Sequence, residues 1–456
     1  MIVIPRGLAR SFRALLRKSV AGRPRGPAPE VVFEAKCGTL TAWARTADAA
    51  LVHTAATRCD DTVLVVPMAV LAAVEGAGDD PVELTVGAQL RGEARWVDRG
   101  VPRTHPFDAI LPGKQHGPPT STDDGHPVSP DFLRALYECG RTTARESGRY
   151  ALSRVQVRGK AGQVIGTDGR TALVRGGFDL AFAEDVLVPA LPVFGARELT
   201  REPGVRVGRT PTELVVVAGP WLVHLTVDSG GRFPDLAGVM PRAAGTVAGI
   251  DDRDAAELLA ALPDLAGADA EHHPVTLDLA GGVVVRARDG ATGAVREVRL
   301  ERSPATGPPV RVALNRRVLA RALALGCVTV RVASPDRPVA FEGRNTTLVV
   351  AALDPDLAVA PAESADPPRP RTDTPARRTA VRHDTNGHPP DPPDPPAADP
   401  PDLLAAAEEL RAAVADTLTK AGRLVAALKS RKREQRVLSQ VWSNLKALNL
   451  GPGGGP

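Results

Sequence analysis

The chain has 456 residues, more than one hydrophobic core accommodates, and at the usual domain size this points to about three domains. Hydrophobic residues make up 43%, enough for real cores. With 57 Lys plus Arg against 53 Asp plus Glu the net charge is only +4, so attraction to a polyanion has to come from local clustering. Four scattered cysteines, Cys37, Cys59, Cys139 and Cys327, form no CxxC pair; neither a zinc site nor a disulfide framework is indicated, which suits a reducing cytoplasm.

The first 29 residues hold several arginines and no acid before Glu30, so a transit peptide has to be considered. No apolar run of about 18 residues follows, which excludes a secretory signal or a membrane helix. Leu8, Phe12, Leu15 and Leu16 share one helical face, while Arg6, Arg10, Arg13, Arg17 and Lys18 take the other. That basic face can be a solvated surface, a polyanion-facing surface or part of a targeting peptide.

Val31–Thr41 and Trp43–Thr54 read as a β-meander. Val63–Ala77 runs from a strand through Pro67 into a short helix, a place where the missing proline N–H costs nothing. Strands at Val82–Val86 and Gly92–Val97 close a first unit near Pro112. A second unit opens with a helix from Pro130 to about Arg145, with Phe132, Leu133, Leu136 and Tyr137 inward and Arg134, Arg141 and Arg145 outward. From Gly148 to Leu173 come strand, turn, strand and a TDGR corner at Thr167. A second strand–proline–helix segment spans Val186–Arg201, strands follow at 205–207, 213–217 and 221–227, and Arg232–Pro241 ends the unit.

The third unit has a helix over Asp251–Leu262, β-rich sequence from Pro274, a strand–helix segment at Val310–Gly326, and strands at 328–332, 338–342 and 347–353. The strand-to-helix segments start at Val63, Val186 and Val310, steps of 123 and 124 residues. A step this regular marks tandem structural repeats. Each unit is read as α+β, two helices covering one face of curved antiparallel sheet.

These residues resemble a known family, the bacterial sliding clamp or DNA polymerase III beta subunit. Its middle domain carries an R-Y-x-L strand, then T-D-G-H-R-L, and closes with G-x-F-P-D-Y-x-x-V-x-P. Here they read Arg149-Tyr150-Ala151-Leu152, Thr167-Asp168-Gly169-Arg170-Thr171-Ala172 and Gly231-Arg232-Phe233-Pro234-Asp235-Leu236 through Pro241. The resemblance spans about residues 1–357. It implies three tandem DNA-clamp domains at 1–118, 127–243 and 244–357, closed by a second chain into a homodimer ring around double-stranded DNA. It further implies DNA polymerase and a clamp loader as partners, no cofactor, no catalysis, and a cytoplasmic, non-membrane setting.

A ring that slides needs basic helices that touch phosphates without reading bases. The candidates are Arg6, Arg10, Arg13 and Arg17, then Arg134, Arg141 and Arg145, then Arg316, Arg317 and Arg321. Acidic Asp251, Asp252, Asp254 and Glu257 argue against a uniformly positive lining. Carried over by motif, a cleft for partner peptides would involve Leu152, Thr167, Gly169, Arg170, Ala172, Pro241, Val339, Ala351, Ala352 and Leu353. The family's terminal M-P-M-R-L is Ala351-Ala352-Leu353-Asp354-Pro355 here, and alanine for methionine predicts a shallower pocket.

Residues 358–401 are Pro-rich and read as an extended disordered linker. Residues 402–450 carry 4,3-spaced apolar positions from Leu403 to Leu445, broken at Arg431 and Gln435 beside a basic run. A coiled coil or hairpin, a lone docking helix, and a DNA-binding tail all fit that pattern. Enzyme motifs are absent: Gly113-Lys114 lacks the P-loop frame, no GxSxG or HExxH occurs, and His272-His273 read as a solvated pair. Asp168 reads as turn chemistry rather than as a catalytic acid.

Overall fold

The computed structural model describes residues 1–20, 27–119, 125–146, 150–236, 238, 245–267 and 271–361. The expected linker and C-terminal helix lie outside the described residues, as does Pro241. Three successive repeats appear. The first holds β1 (Ile2–Pro5), α1 (Arg6–Lys18), β2 (Glu30–Lys36), β3 (Thr39–Arg45), β4 (Ala49–Ala56), β5 (Thr62–Pro67), α2 (Met68–Val74), β6 (Pro81–Val86), β7 (Arg91–Asp98) and β8 (Val101–Asp108). The second holds β9 (His126–Val128), α3 (Asp131–Gly140), β10 (Arg154–Arg158), β11 (Gln163–Thr167), β12 (Thr171–Arg175) and β13 (Asp185–Pro189). It continues with a tight helical turn over Pro192–Gly195, α4 (Arg197–Thr200), β14 (Val205–Arg209), β15 (Glu213–Ala218) and β16 (Trp221–Thr226). The third holds β17 (Thr246–Gly249), α5 (Asp252–Ala261), β18 (Pro274–Leu279), β19 (Gly282–Arg288), β20 (Val295–Thr306), β21 (Val310–Asn315), α6 (Arg316–Ala324), β22 (Thr329–Val332), β23 (Val339–Gly343) and β24 (Thr346–Val350).

Within every repeat the first, sixth, seventh and eighth strands form one antiparallel set and the fifth, second, third and fourth another. The fourth strand of one repeat then pairs with the eighth of the next. β4 pairs β16 over five residue pairs from Ala49↔Leu225 to His53↔Trp221. β12 pairs β24 over five more, from Thr171↔Val350 to Arg175↔Thr346. The alternation of each strand sets its two faces: Val275, Leu277 and Leu279 enter the core while Thr276 and Asp278 point outward.

The helices pack on the inner side of these sheets. α1 buries Leu8, Phe12, Leu15 and Leu16, the face its spacing predicts, and α3 buries Phe132, Leu133 and Leu136. α3 ends at Gly140, earlier than expected, as the Thr142 hydroxyl bonds the Glu138 carbonyl at 2.9 Å. Asp251 caps α5 by accepting from the Arg253 N–H at 2.9 Å, and Asn315 caps α6 by accepting from Arg317 at 2.9 Å. Gly166 lets α3 approach β11, for a Cβ there would lie 2.0 Å from the Cys139 carbonyl oxygen. Burial of that cysteine pushes its thiol up to about 12, so it serves as packing rather than as a nucleophile.

After the eighth strand of each repeat the chain crosses to the outer side in the same way. The Ile110 N–H bonds the Val65 carbonyl at 3.0 Å, Asp228 bonds Leu187 at 2.9 Å, and Leu353 bonds Ala313 at 2.8 Å. Each acceptor lies two residues before the end of the fifth strand of its repeat. Two of these crossings lead to the next repeat. The third, residues 351–361, is held a second time where Val359 N–H reaches the Thr276 hydroxyl at 2.7 Å.

Candidate nucleic-acid interface and partner cleft

The helices form one continuous row. α2 packs on α1, α1 on the turn at Pro192–Gly195, that turn on α3, and α5 on α6. The link between α3 and α6 is made by Arg321, which donates to the Glu138 carbonyl at 2.7 Å and the Thr142 hydroxyl at 2.8 Å. Solvent-facing cations stud this row: Arg10, Arg17 and Lys18 on α1, Arg134 on α3, Arg141 and Arg145 just after it, and Arg317 on α6. Arg197 and Arg201, at α4, are exposed as well and were missed in the sequence, where no helical period distinguishes a four-residue helix.

Several predicted cations do other work. Arg316 is buried and donates to the Leu262 carbonyl at 3.3 Å, to Leu265 at 2.6 Å and to Ala266, closing the end of the preceding helix. It is therefore withdrawn from the polyanion-facing set, since no phosphate reaches a guanidinium enclosed by backbone carbonyls. Arg6 is mostly buried too, bonding Asp98 at 2.8 Å and the carbonyls of Val74 and Glu75. Arg13 pairs with Glu75 at 2.6 Å. Arg321 is committed to the α3–α6 link.

Two of the four acids that argued against a basic row are used up. Asp251 is a cap. Asp254 is buried and accepts from the Ser303 hydroxyl at 2.7 Å and from Arg302 through its N–H and guanidinium, both at 2.8 Å. Burial pushes its carboxyl up, but those hydrogen bonds outweigh it and hold the group below the usual carboxylate range. Glu257 lies 3.6 Å from Arg302 but stays exposed, as does Asp252.

The TDGR corner is a turn. Asp168 accepts from the N–H groups of Arg170 at 2.9 Å and Thr171 at 2.7 Å, and Gly169 takes φ +90°. Thr167 is buried, its hydroxyl donating to the Thr171 carbonyl at 2.8 Å. Leu152 stands against Gly169, and Ala351 N–H bonds the Arg170 carbonyl at 2.8 Å, so these predicted cleft residues do come together. Val339 does not join them: it is fully buried in the main core and faces inward. Ala172 instead joins Ile165, Ala340 and Val349 in a small outer cluster, and Leu236 and Phe233 of the second crossing lie over it. Ala352 packs against the main core.

Among the described residues no group of His, Cys, Asp or Glu could hold a metal ion, and no helix is long and apolar enough to cross a membrane. His272 is exposed, its ring 3.7 Å from Glu271, whereas His273 is half-buried.

No protein-family model matches the sequence, and no curated relative does. Solved structures do match. A sliding clamp, DNA polymerase III subunit beta, from Pseudomonas aeruginosa bound to griselimycin superposes with a TM-score of 0.61 at 16% identity, covering 77% of this chain and 99% of that one. The pol III beta of Caulobacter crescentus gives 0.62 at 19% identity, with 77% and 99% covered. The DNA polymerase III beta chain of Streptococcus pneumoniae gives 0.60 at 13%, again with 77% and 99%. The chain thus has the sliding-clamp fold in divergent form, with sequence beyond it.

Proposed function

We propose that this chain is a DNA sliding clamp: two copies close head to tail around duplex DNA and tether a polymerase, with a loader opening the ring. Each repeat is then one clamp domain, with boundaries near 118/127 and 243/244. The observation that carries the reading is the junction rule. The fourth strand of one repeat pairs with the eighth of the next, twice, and the rule leaves β8 of the first repeat and β20 of the third without a repeat to join, β20 meeting β17 only at Ala305 and Thr306. A second copy supplies β8 to β20 and β20 to β8, which satisfies both.

The exposed cations of the helix row then face phosphates without reading bases, and the work done is topological rather than chemical. Light scattering on the full chain is expected to give twice the chain mass. The protein is expected to stay on closed circular duplex and slide off once the circle is cut; a monomer lost equally from both forms defeats the proposal.

The cover of Leu236 and Phe233 over Ala172 and Val349 favours one alternative reading, a clamp-like scaffold working through residues 402–450. Under it, a Gln-Leu-x-Leu-Phe peptide fails to bind while the ring still forms.

A further inference from the structure

The open edge of β8 is unlike the strand edges already joined within the chain. Neither β4–β16 nor β12–β24 contains a proline, so every residue in those junctions can offer its N–H. β8 reads Val-Pro-Arg-Thr-His-Pro-Phe-Asp, with prolines at 102 and 106. In a strand, alternate residues turn their N–H to opposite sides. Ala109 donates to the Leu90 carbonyl on the β7 side, and Ile110 donates the other way, to Val65. Odd residues of β8 therefore serve β7, and Pro102, Thr104, Pro106 and Asp108 face the open edge. A proline belongs there, since it has no ladder bond to give.

Of those four positions only Thr104 and Asp108 carry an N–H. The facing strand is also reduced, because the Arg302 N–H of β20 is already taken by Asp254. Prolines and charges on an edge are the means by which sheets resist unplanned pairing. Building on the clamp reading above, we infer that the surface at β8 takes β20 of a second copy through a shortened ladder, so that the ring opens and recloses without a loader far more readily than the two internal junctions part. Pro102 and Pro106 set that lability.

The test is a dilution series of the full chain in sedimentation velocity. Restoring both donors with the double variant Pro102→Thr/Pro106→Thr is expected to tighten the dimer by roughly tenfold or more, since each added hydrogen bond contributes a few-fold to tenfold. Thr104→Pro, which removes a remaining donor at an exposed edge position, is expected to weaken it by roughly tenfold. Half-life on closed circular duplex moves in the same two directions. A wild-type dimer whose dissociation constant stays within about twofold in both variants overturns the inference and leaves the ring standing. Wild type and double variant both monomeric throughout the series overturn the inference and the ring together.

Discussion

The two internal junctions share a backbone plan and differ in chemistry. At β4–β16, one histidine sits on each face of the sheet. His53 lies inward against the Trp221 ring, centroids 4.4 Å apart, and His224 lies outward, its Nδ1 3.0 Å from Glu213, which stands 3.8 Å from Arg45. Arg154 reaches across to Asp48 at 3.2 Å and back to Asp228 at 3.5 Å. At β12–β24 the facing residues are Ala172 and Val349, Leu173 and Leu348, Val174 and Thr347, with no histidine among them. Strand geometry alone defines the repeat, and the side chains are free to make one joint titratable and the other inert.

The contrast can be broken hardest at Trp221. It is buried between His53 and Phe12, so Trp221→Ala removes packing that no neighbour replaces. A loss of about 3–5 kcal/mol is expected by denaturant unfolding. If the loss stays below about 1 kcal/mol, the first junction does not depend on that ring.

Acid sharpens it next. Burial lowers His53 to about 4, and burial lowers His224 as well, against the pull of Glu213. The unfolded chain takes up protons near pH 6.5 while folded His53 does not, so stability is full above about 6.5 and falls as pH drops toward 4. With allowance for its partial exposure, His53 alone contributes on the order of 2 kcal/mol over that window. Calorimetric melts of His53→Gln against wild type are expected to converge as pH falls. Parallel curves would place the acid sensitivity elsewhere.

The smallest effect belongs to Arg154. Its ion pairs are partly exposed, so Arg154→Ala is expected to cost about 0.5–1 kcal/mol in low salt and less at about 1 M. A salt-independent loss would mean that packing of its stem matters more than charge.

Much of this was legible in the sequence. The strand-to-helix steps survive because each of these strands carries at least three consecutive apolar residues, Val63–Val66, Val186–Val188 and Val312–Leu314, and α1 and α3 bury the faces their periodicity marks. What stayed hidden is instructive. β8, which ends its sheet, and β20, which meets β17 only at Ala305 and Thr306, carry no alternating apolar pattern: one is interrupted by Pro102 and Pro106, the other reads VREVRLERSPAT. The features that protect an edge also erase its signal. In the candidate site, Arg316 could not be told from Arg317 because one position along a helix decides whether a guanidinium meets solvent or carbonyls. Val339 came from motif transfer, and strand alternation turns it inward.

The third outer crossing has a mechanical consequence. A partner pulling on residues beyond 361 loads the Val359–Thr276 bond first and the Leu353–Ala313 bond next, before any force reaches β24. Both anchors lie on the fifth-strand side of the last repeat, on β18 and β21, whereas β24 carries the second junction. Tension on the tail is thereby taken up first at β18 and β21, the far end of that sheet from β12, before it reaches the seam between the second and third repeats.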